Sequence, residues 1–262
     1  MTNKDFSIIM PMYNSEMYIR DTLASIDSQT LDPSTYEVIL CDDNSADDSA
    51  RIVEEWVKGS RIESLFMKQD TNKGACAARN RAIGEATGRT IVNLDSDDLF
   101  TENALERFRD YGKPTDWTFA YTDFLRIFED GQKPLLQKAR PFTKSKLMHY
   151  NITGPGVKFF PKTVWSEIGG FDESLPSGQD WDFALRVSEL GGDDQFLAIN
   201  ENLWTYRVVS SGITGALSSK NKFETNCAFL SAALTRRGIP YSNITCERNH
   251  PENSYYYAWD SE

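Results

Sequence analysis

The segment IVNLDSDDLF, residues 91–100, runs from mostly apolar positions into Asp95, Asp97 and Asp98. Like charges repel and buried carboxylates are costly, so three of them against a buried strand suit a site that receives a cation. Hard oxygen ligands of this kind fit Mg²⁺ or Mn²⁺, ions commonly held by one or two carboxylates and completed by substrate phosphates. Three other uses of the same letters can be weighed. A calcium-binding EF-hand loop fails because Phe100 stands where a glycine is needed. A D-x-D phosphatase would use Asp95 as a nucleophile. A helix start would use Asp97 or Asp98 to cap a helix from Thr101, which leaves the rest of the triplet without a purpose. A G-x-G-x-x-G after the first strand and a P-loop lysine motif are both missing, which argues against dinucleotide and P-loop chemistry.

The elements that must position these carboxylates follow from periodicity. FSIIMP, YEVILC, IESLFM and TIVNLD read as strands. Between them lie helical patterns: Ile19, Leu23 and Ile26 share one face, as do Ile52, Val53, Trp56 and Val57. Ser45 or Asp47 is the expected cap of the second helix. The βαβαβαβ alternation predicts a mainly parallel, doubly wound sheet, with ligands beyond the carboxyl ends of the strands. Polar residues follow all four strands, at YN, DDNS, DTNKG and DSDD. One such cluster is an ordinary cap or turn, whereas four on one rim indicate a site. The second half is less regular. DWTFAYTDFLRIFED predicts a hairpin or long strand, a helix begins near Asp180, and FLAINENLWTYRVV predicts a strand pair.

The chain has 262 residues, 39 acidic against 28 basic, and a net charge of −11. That balance argues against nucleic acid or anionic lipid as the main partner. No signal peptide and no transmembrane run is apparent, so a cytoplasmic protein is expected, with the inner face of a membrane as an alternative. The four cysteines form no C-x-x-C pair and are expected to be reduced thiols.

FSIIMPMYNSEMYIRDTLASIDSQT, YEVILCDDNSADDSARIVEEW, NKGACAARNRAIGEATGRTIVNLDSDD, EIGGFDESL and GQDWDFALRV, in this order, resemble the inverting glycosyltransferases of family 2. The likeness runs from Phe6 to about Val208. It implies the glycosyltransferase-A fold, an α/β architecture with a Rossmann-like, mainly parallel sheet flanked by helices. It also implies metal-assisted transfer of a sugar from a nucleotide-sugar, most simply a UDP-sugar, in polysaccharide biosynthesis. By the same resemblance Asp42 and Asp43 contact the base, Asp43 accepting from uracil, while Pro11, Tyr13 and Asn14 line that pocket. Asn72, Lys73 and Gly74 close it, and Arg79 or Arg81 supplies charge near the diphosphate. The D-x-D motif falls on Asp95, Ser96 and Asp97, followed by Asp98. Asp97 or Asp98 is the expected ligand of Mn²⁺ or Mg²⁺, and its neighbour holds ribose or sugar hydroxyls. Asp180 matches the general base, Gln179 replaces the usual Glu, and Trp181 is either a wall for a sugar ring or a core residue. Arg207 and Ser211 are expected to reach the diphosphate. The acceptor would be a glycan, a lipid-linked sugar or a glycoprotein.

Residues 1–215 would then be the catalytic domain. Residues 216–262 form a small helical extension expected to pack on it, with a homodimer or membrane contact as alternatives. A catalytically silent nucleotide-sugar or glycan-binding module is the main rival to an enzyme.

Overall fold

The computed structural model of the chain describes residues 4–112, 116–209, 219–250 and 253–260. Its first half follows the alternation of the sequence. β1 (Phe6–Met12), α1 (Ile19–Asp27), β2 (Tyr36–Asp42), α2 (Ser49–Gly59), β3 (Glu63–Lys68), α3 (Ala75–Glu85) and β4 (Thr90–Asn93) succeed one another. The strands pair in parallel in the order β3-β2-β1-β4. β1 and β2 are buried at every position, as strands covered on both faces require. Proline is tolerated within β1 because of where it falls. Ile9 O accepts from Leu94 N on the β4 side, so the missing N–H of Pro11 faces the same side beyond Asn93, where β4 has ended.

The second half adds β5 (Leu99–Phe100), α4 (Ala104–Asp110), β6 (Phe119–Phe128), β7 (Leu135–Gln137), α5 (Lys144–His149), β8 (Phe159–Pro161), α6 (Lys162–Glu167), α7 (Gln179–Val187) and β9 (Phe196–Val208). The sheet continues β4-β8-β6-β9-β5, with β7 antiparallel to β6. β8 runs antiparallel to both neighbours, while β6 and β9 are parallel. Helices α1, α2 and α4 cover one face of the sheet, and α3, α5 and α7 cover the other.

Several local expectations are corrected. FLAINENLWTYRV is one strand, because its polar centre is absorbed as a bulge: pairing jumps from Thr122↔Ile199 to Asp123↔Asn202. The helix after the carboxylate triplet starts at Ala104, since Leu99 and Phe100 first pair with β9. Asp48, rather than Ser45 or Asp47, stands at the cap of α2, while Asp47 Oδ1 accepts from Ser49 N and Oγ. The C-terminal extension is a helix and a hairpin: α8 (Ser219–Arg236), then β10 (Asn243–His250) antiparallel to β11 (Asn253–Asp260). Its Phe229, Leu230, Ala233, Leu234 and Tyr257 are buried in the same apolar cluster as Trp181 and Phe183 of α7. The boundary expected at residue 215 lies outside the described residues.

Candidate active site

The carboxyl ends of β1, β2 and β4, the turn before β8 and the start of α7 open on one cleft of about 370 Å³. Pro11, Tyr13, Asn14, Asp43, Asn72, Gly74, Arg79, Asp95, Ser96, Asp97, Gln179, Asp180 and Arg207 all line it. Asp42, Lys73, Arg81 and Asp98 do not line it, and Ser211 lies outside the described residues. The side chain of Asp42 is occupied in its own turn, where Oδ1 accepts from Ser45 N (3.1 Å) and Oγ (2.5 Å). Arg81 Nη1 donates to Lys68 O instead. Trp181 is a core residue, 5% exposed, with Nε1 donating to Leu147 O (2.6 Å).

At the wall formed by β1, β2 and α3, Asp43 organises the loop before α3. Its Oδ1 accepts from Gln69 Nε2 (2.8 Å) and Lys73 N (2.7 Å), and its Oδ2 from Gly74 N (2.7 Å). Thus Lys73 contributes its backbone to this corner. Asn14 takes a left-handed φ of 48°, which asparagine tolerates. Its Oδ1 accepts from Ala46 N (2.9 Å), which joins the ends of β1 and β2. Tyr13 remains half exposed beside this corner and lines the cleft.

The carboxylate triplet forms a tight turn in which Asp98 N donates to Asp95 O (3.1 Å). The turn is tied to the segment before α1 by a Ser15–Ser96 hydroxyl pair (2.6 Å) and to α1 itself by Thr22 Oγ1 donating to Ser96 O. Asp95 pairs with the buried Arg79 (2.8 Å). Asp97 faces the cleft; burial, then repulsion from Asp95, pushes its carboxyl up to about 7. Asp98 lies beneath, fully buried, with Oδ1 accepting from Arg207 N (3.0 Å) and Oδ2 unpartnered among the described residues. Burial, then Asp97 and Asp95, raises Asp98 well above the usual carboxylate range. Such carboxylates, charged only against resistance, fit a divalent cation at Asp97 backed by Asp98. Among the described residues no three His, Cys, Asp or Glu side chains form a complete metal cage, so other ligands would have to come from the diphosphate and water.

Across the cleft, Asp180 is the second residue of α7, where the helix dipole favours negative charge. Burial raises its carboxyl; Lys158, Arg79 and the Gly156 N–H oppose this, and Asp95 adds to it. Gly156 N donates to Asp180 Oδ2 at 3.2 Å. Lys158, Gly156 and Tyr206 escape the sequence reading. Lys158 is buried behind the turn that carries Gly156, and Tyr206 enters the cleft from β9. The GPG of residues 154–156, a glycine-rich loop in the sequence, was the available signal. Arg207 is held by Asp97 O (3.1 Å) and Asp21 (3.2 Å), with its guanidinium over the Tyr18 ring.

Residues 7–161 match the Glycosyl transferase family 2 domain. The chain belongs to that family. Among curated relatives, this family 2 chain is 29% identical over 251 residues to chondroitin synthase of Escherichia coli, covering 91% of this chain and 34% of the relative. It is 30% identical over 230 residues to the minor teichoic acid biosynthesis protein GgaB of Bacillus subtilis, covering 84% and 25%. The chain therefore spans about a third or less of these two relatives. The crystal structure of S. aureus TarS 1-349 in complex with UDP-GlcNAc superposes with a TM-score of 0.73 at 20% identity, covering 88% of this chain and 66% of that one. The fold is thus that of the glycosyltransferase-A enzymes, and the chain is a glycosyltransferase domain. No helix among the described residues is long and apolar enough to cross a membrane.

Proposed function

We propose that this domain transfers a sugar, with inversion, from a UDP-sugar to a hydroxyl of a glycan, lipid-linked or glycoprotein acceptor in polysaccharide biosynthesis. The observation that carries the reading is the pairing of two acidic groups across one cleft: Asp97 beside Asp95 on one wall, and Asp180, raised by burial, on the other. Asp180 takes the proton of the acceptor hydroxyl while that oxygen bonds to the anomeric carbon and the bond to the diphosphate breaks. Attack from the face opposite the leaving group inverts the centre. Asp43 and the Asn72–Gly74 loop hold the base, Tyr13 stacks on it, and Arg79 and Arg207 supply positive charge around the diphosphate. Asp97, backed by Asp98, would hold Mn²⁺ or Mg²⁺, which would supply positive charge to offset that of the diphosphate. A UDP-sugar is favoured because the similar TarS binds UDP-GlcNAc. Residues 1–215 would form the catalytic unit and 216–262 a buttress; a lipid-linked acceptor would bring the protein to the inner face of a membrane.

Thermal-shift screening of nucleotide-sugars with and without Mn²⁺, followed by transfer assays on the stabilising donors, tests the reading. Stabilisation by UDP-sugars with Mn²⁺ and turnover with an added acceptor are expected. Binding without turnover across donors and acceptors would point instead to a binding module.

A further inference from the structure

Lys158 precedes β8 and is 2% exposed. Lysines at that depth are ordinarily paired with a carboxylate. This ammonium instead donates to three successive backbone carbonyls, of Pro155 (2.7 Å), Gly156 (3.3 Å) and Val157 (3.3 Å). A compact cation with three rotatable donors suits that arrangement better than a planar guanidinium. The turn it grips is constrained on its other side as well. Gly156 has a φ of +65°, and a Cβ there would fall 2.5 Å from the Trp204 ring and 3.1 Å from Asp98 Oδ2.

The link to the cleft is a single peptide group. Pro155 C=O and Gly156 N–H belong to the same planar unit, and no peptide among the described residues is cis. In a trans peptide these two dipoles point in opposite directions. Holding the Pro155 oxygen toward Lys158 therefore turns the Gly156 N–H toward Asp180 Oδ2, where it donates at 3.2 Å. A cation on the oxygen also polarises the N–H and strengthens its hydrogen bond.

We propose that Lys158 is a positioning residue for sugar transfer: by gripping the Pro155 carbonyl it aims the Gly156 N–H at Asp180 Oδ2, so that Oδ1 is presented to the acceptor hydroxyl. This rests on the reading of Asp180 as the base. In that reaction the acceptor O–H proton passes to Oδ1 and the oxygen bonds to the anomeric carbon. The electron pair of the broken bond leaves with the diphosphate. The groups facing Asp180 divide by sign: Lys158 and Arg79 favour the carboxylate, while Asp95 opposes it. Lys158 in turn faces Asp180, Asp95 and Asp98, which favour its charge, and Arg79, which does not. Burial lowers its ammonium to about 8, so the charge is largely kept at neutral pH.

The test compares Lys158→Met, Lys158→Gln and Lys158→Arg with the wild type in kcat, donor KM, UDP affinity by calorimetry and the pH profile of kcat. In the Met variant kcat falls roughly tenfold to a hundredfold, the scale of a misplaced catalytic group. Donor KM and UDP affinity stay at wild-type values, and the acidic limb moves to higher pH as the carboxylate loses its support. The Arg variant, keeping the charge, holds the limb near its wild-type position. Wild-type kcat and limb in the Met variant overturn the proposal, as does equal loss in Met and Arg with the limb unmoved, which marks a structural plug. If the Met variant does not fold, Lys158→Gln, which keeps donors without the charge, is read in the same way. A wild-type protein that binds UDP but transfers nothing would fail the transferase reading instead. A carbon-13 titration of the Asp180 carboxyl then decides separately: an upward move in the neutral variant supports the Lys158 link, and an unmoved titration overturns it.

Discussion

Asp43 and Asp180 both meet the N–H of a glycine turn on the same cleft, and they differ in what is left over. Asp43 receives three donors at 2.7–2.8 Å, two of them backbone N–H groups. Asp180 receives one at 3.2 Å among the described residues, with two cations nearby and burial acting against its charge. A carboxylate surrounded by short donors is suited to shaping a loop. One with a single longer donor keeps lone pairs for a proton. If Asp180 is the base proposed above, the same side chain serves architecture in the half built by β1 to β4 and chemistry in the half built by β8 and α7.

The sharpest way to break the comparison is Asp180→Asn. Transfer should fall by about 10³-fold, within the usual range for a lost general base, while UDP affinity is kept. Full turnover in that variant would remove Asp180 from the chemistry. Protons should compete with the cation at Asp97: Mn²⁺-dependent donor affinity, measured by calorimetry, should weaken by up to about tenfold per unit as pH falls below about 7. Affinity that is flat with pH or indifferent to chelation would contradict this. The same shift has the opposite sign for the metal-free fold. Its carboxyl ionises near 3.8 unfolded and about 7 folded, so the stabilisation it contributes is full below 3.8 and is lost as pH rises through 7. Melting curves with and without Mn²⁺ and UDP should therefore diverge most above pH 7.

Asp43→Asn replaces an acceptor by a donor against backbone N–H groups, at a cost of about 1–3 kcal/mol. Donor affinity should weaken about tenfold or more, with a smaller effect on kcat measured at saturating donor. A larger loss in kcat than in affinity would reverse the roles assigned to the two carboxylates. The smallest expected effect on catalysis is at Trp259, which stacks on His149 (4.8 Å between ring centres), with Tyr256 stacked on the same imidazole at 4.6 Å. Trp259→Ala should lower the melting temperature by a few degrees, as loss of an aromatic pair worth about 1 kcal/mol would, with kcat unchanged.

The half nearer Asp43 was legible because its strands are buried runs of fixed period, each followed by the polar residues that turns and sites share. Periodicity does not say which neighbour at a strand end turns inward, so the letters leave Asp42 and Asp43 equivalent; of the two, Asp43 lines the cleft. Asp97 and Asp98 were likewise interchangeable as letters, and the turn from Asp95 to Asp98 directs one to the cleft and the other below it. Lys158 carried no signal, because its partners are backbone oxygens, which every residue possesses. The hairpin of β10 and β11 is not foreseen in an extension expected to be helical, since its strands show no simple alternation of apolar and polar residues; among the described residues they pair only with each other.

The reversed direction of β8 decides what kind of atom reaches the rim. β1, β2 and β4 leave the sheet there, and their side chains can be traded at a loop with the strand undisturbed. β8 arrives there instead: Asn93 N donates to Lys158 O as the chain joins the sheet. A residue inserted or deleted between Pro155 and Phe159 could not be absorbed downstream without a slip, and a slip of one position would turn Lys158 to the opposite face. The spacing of this five-residue passage is therefore constrained as tightly as its composition, and a one-residue change in its length should be no better tolerated than a substitution at Gly156 or Lys158.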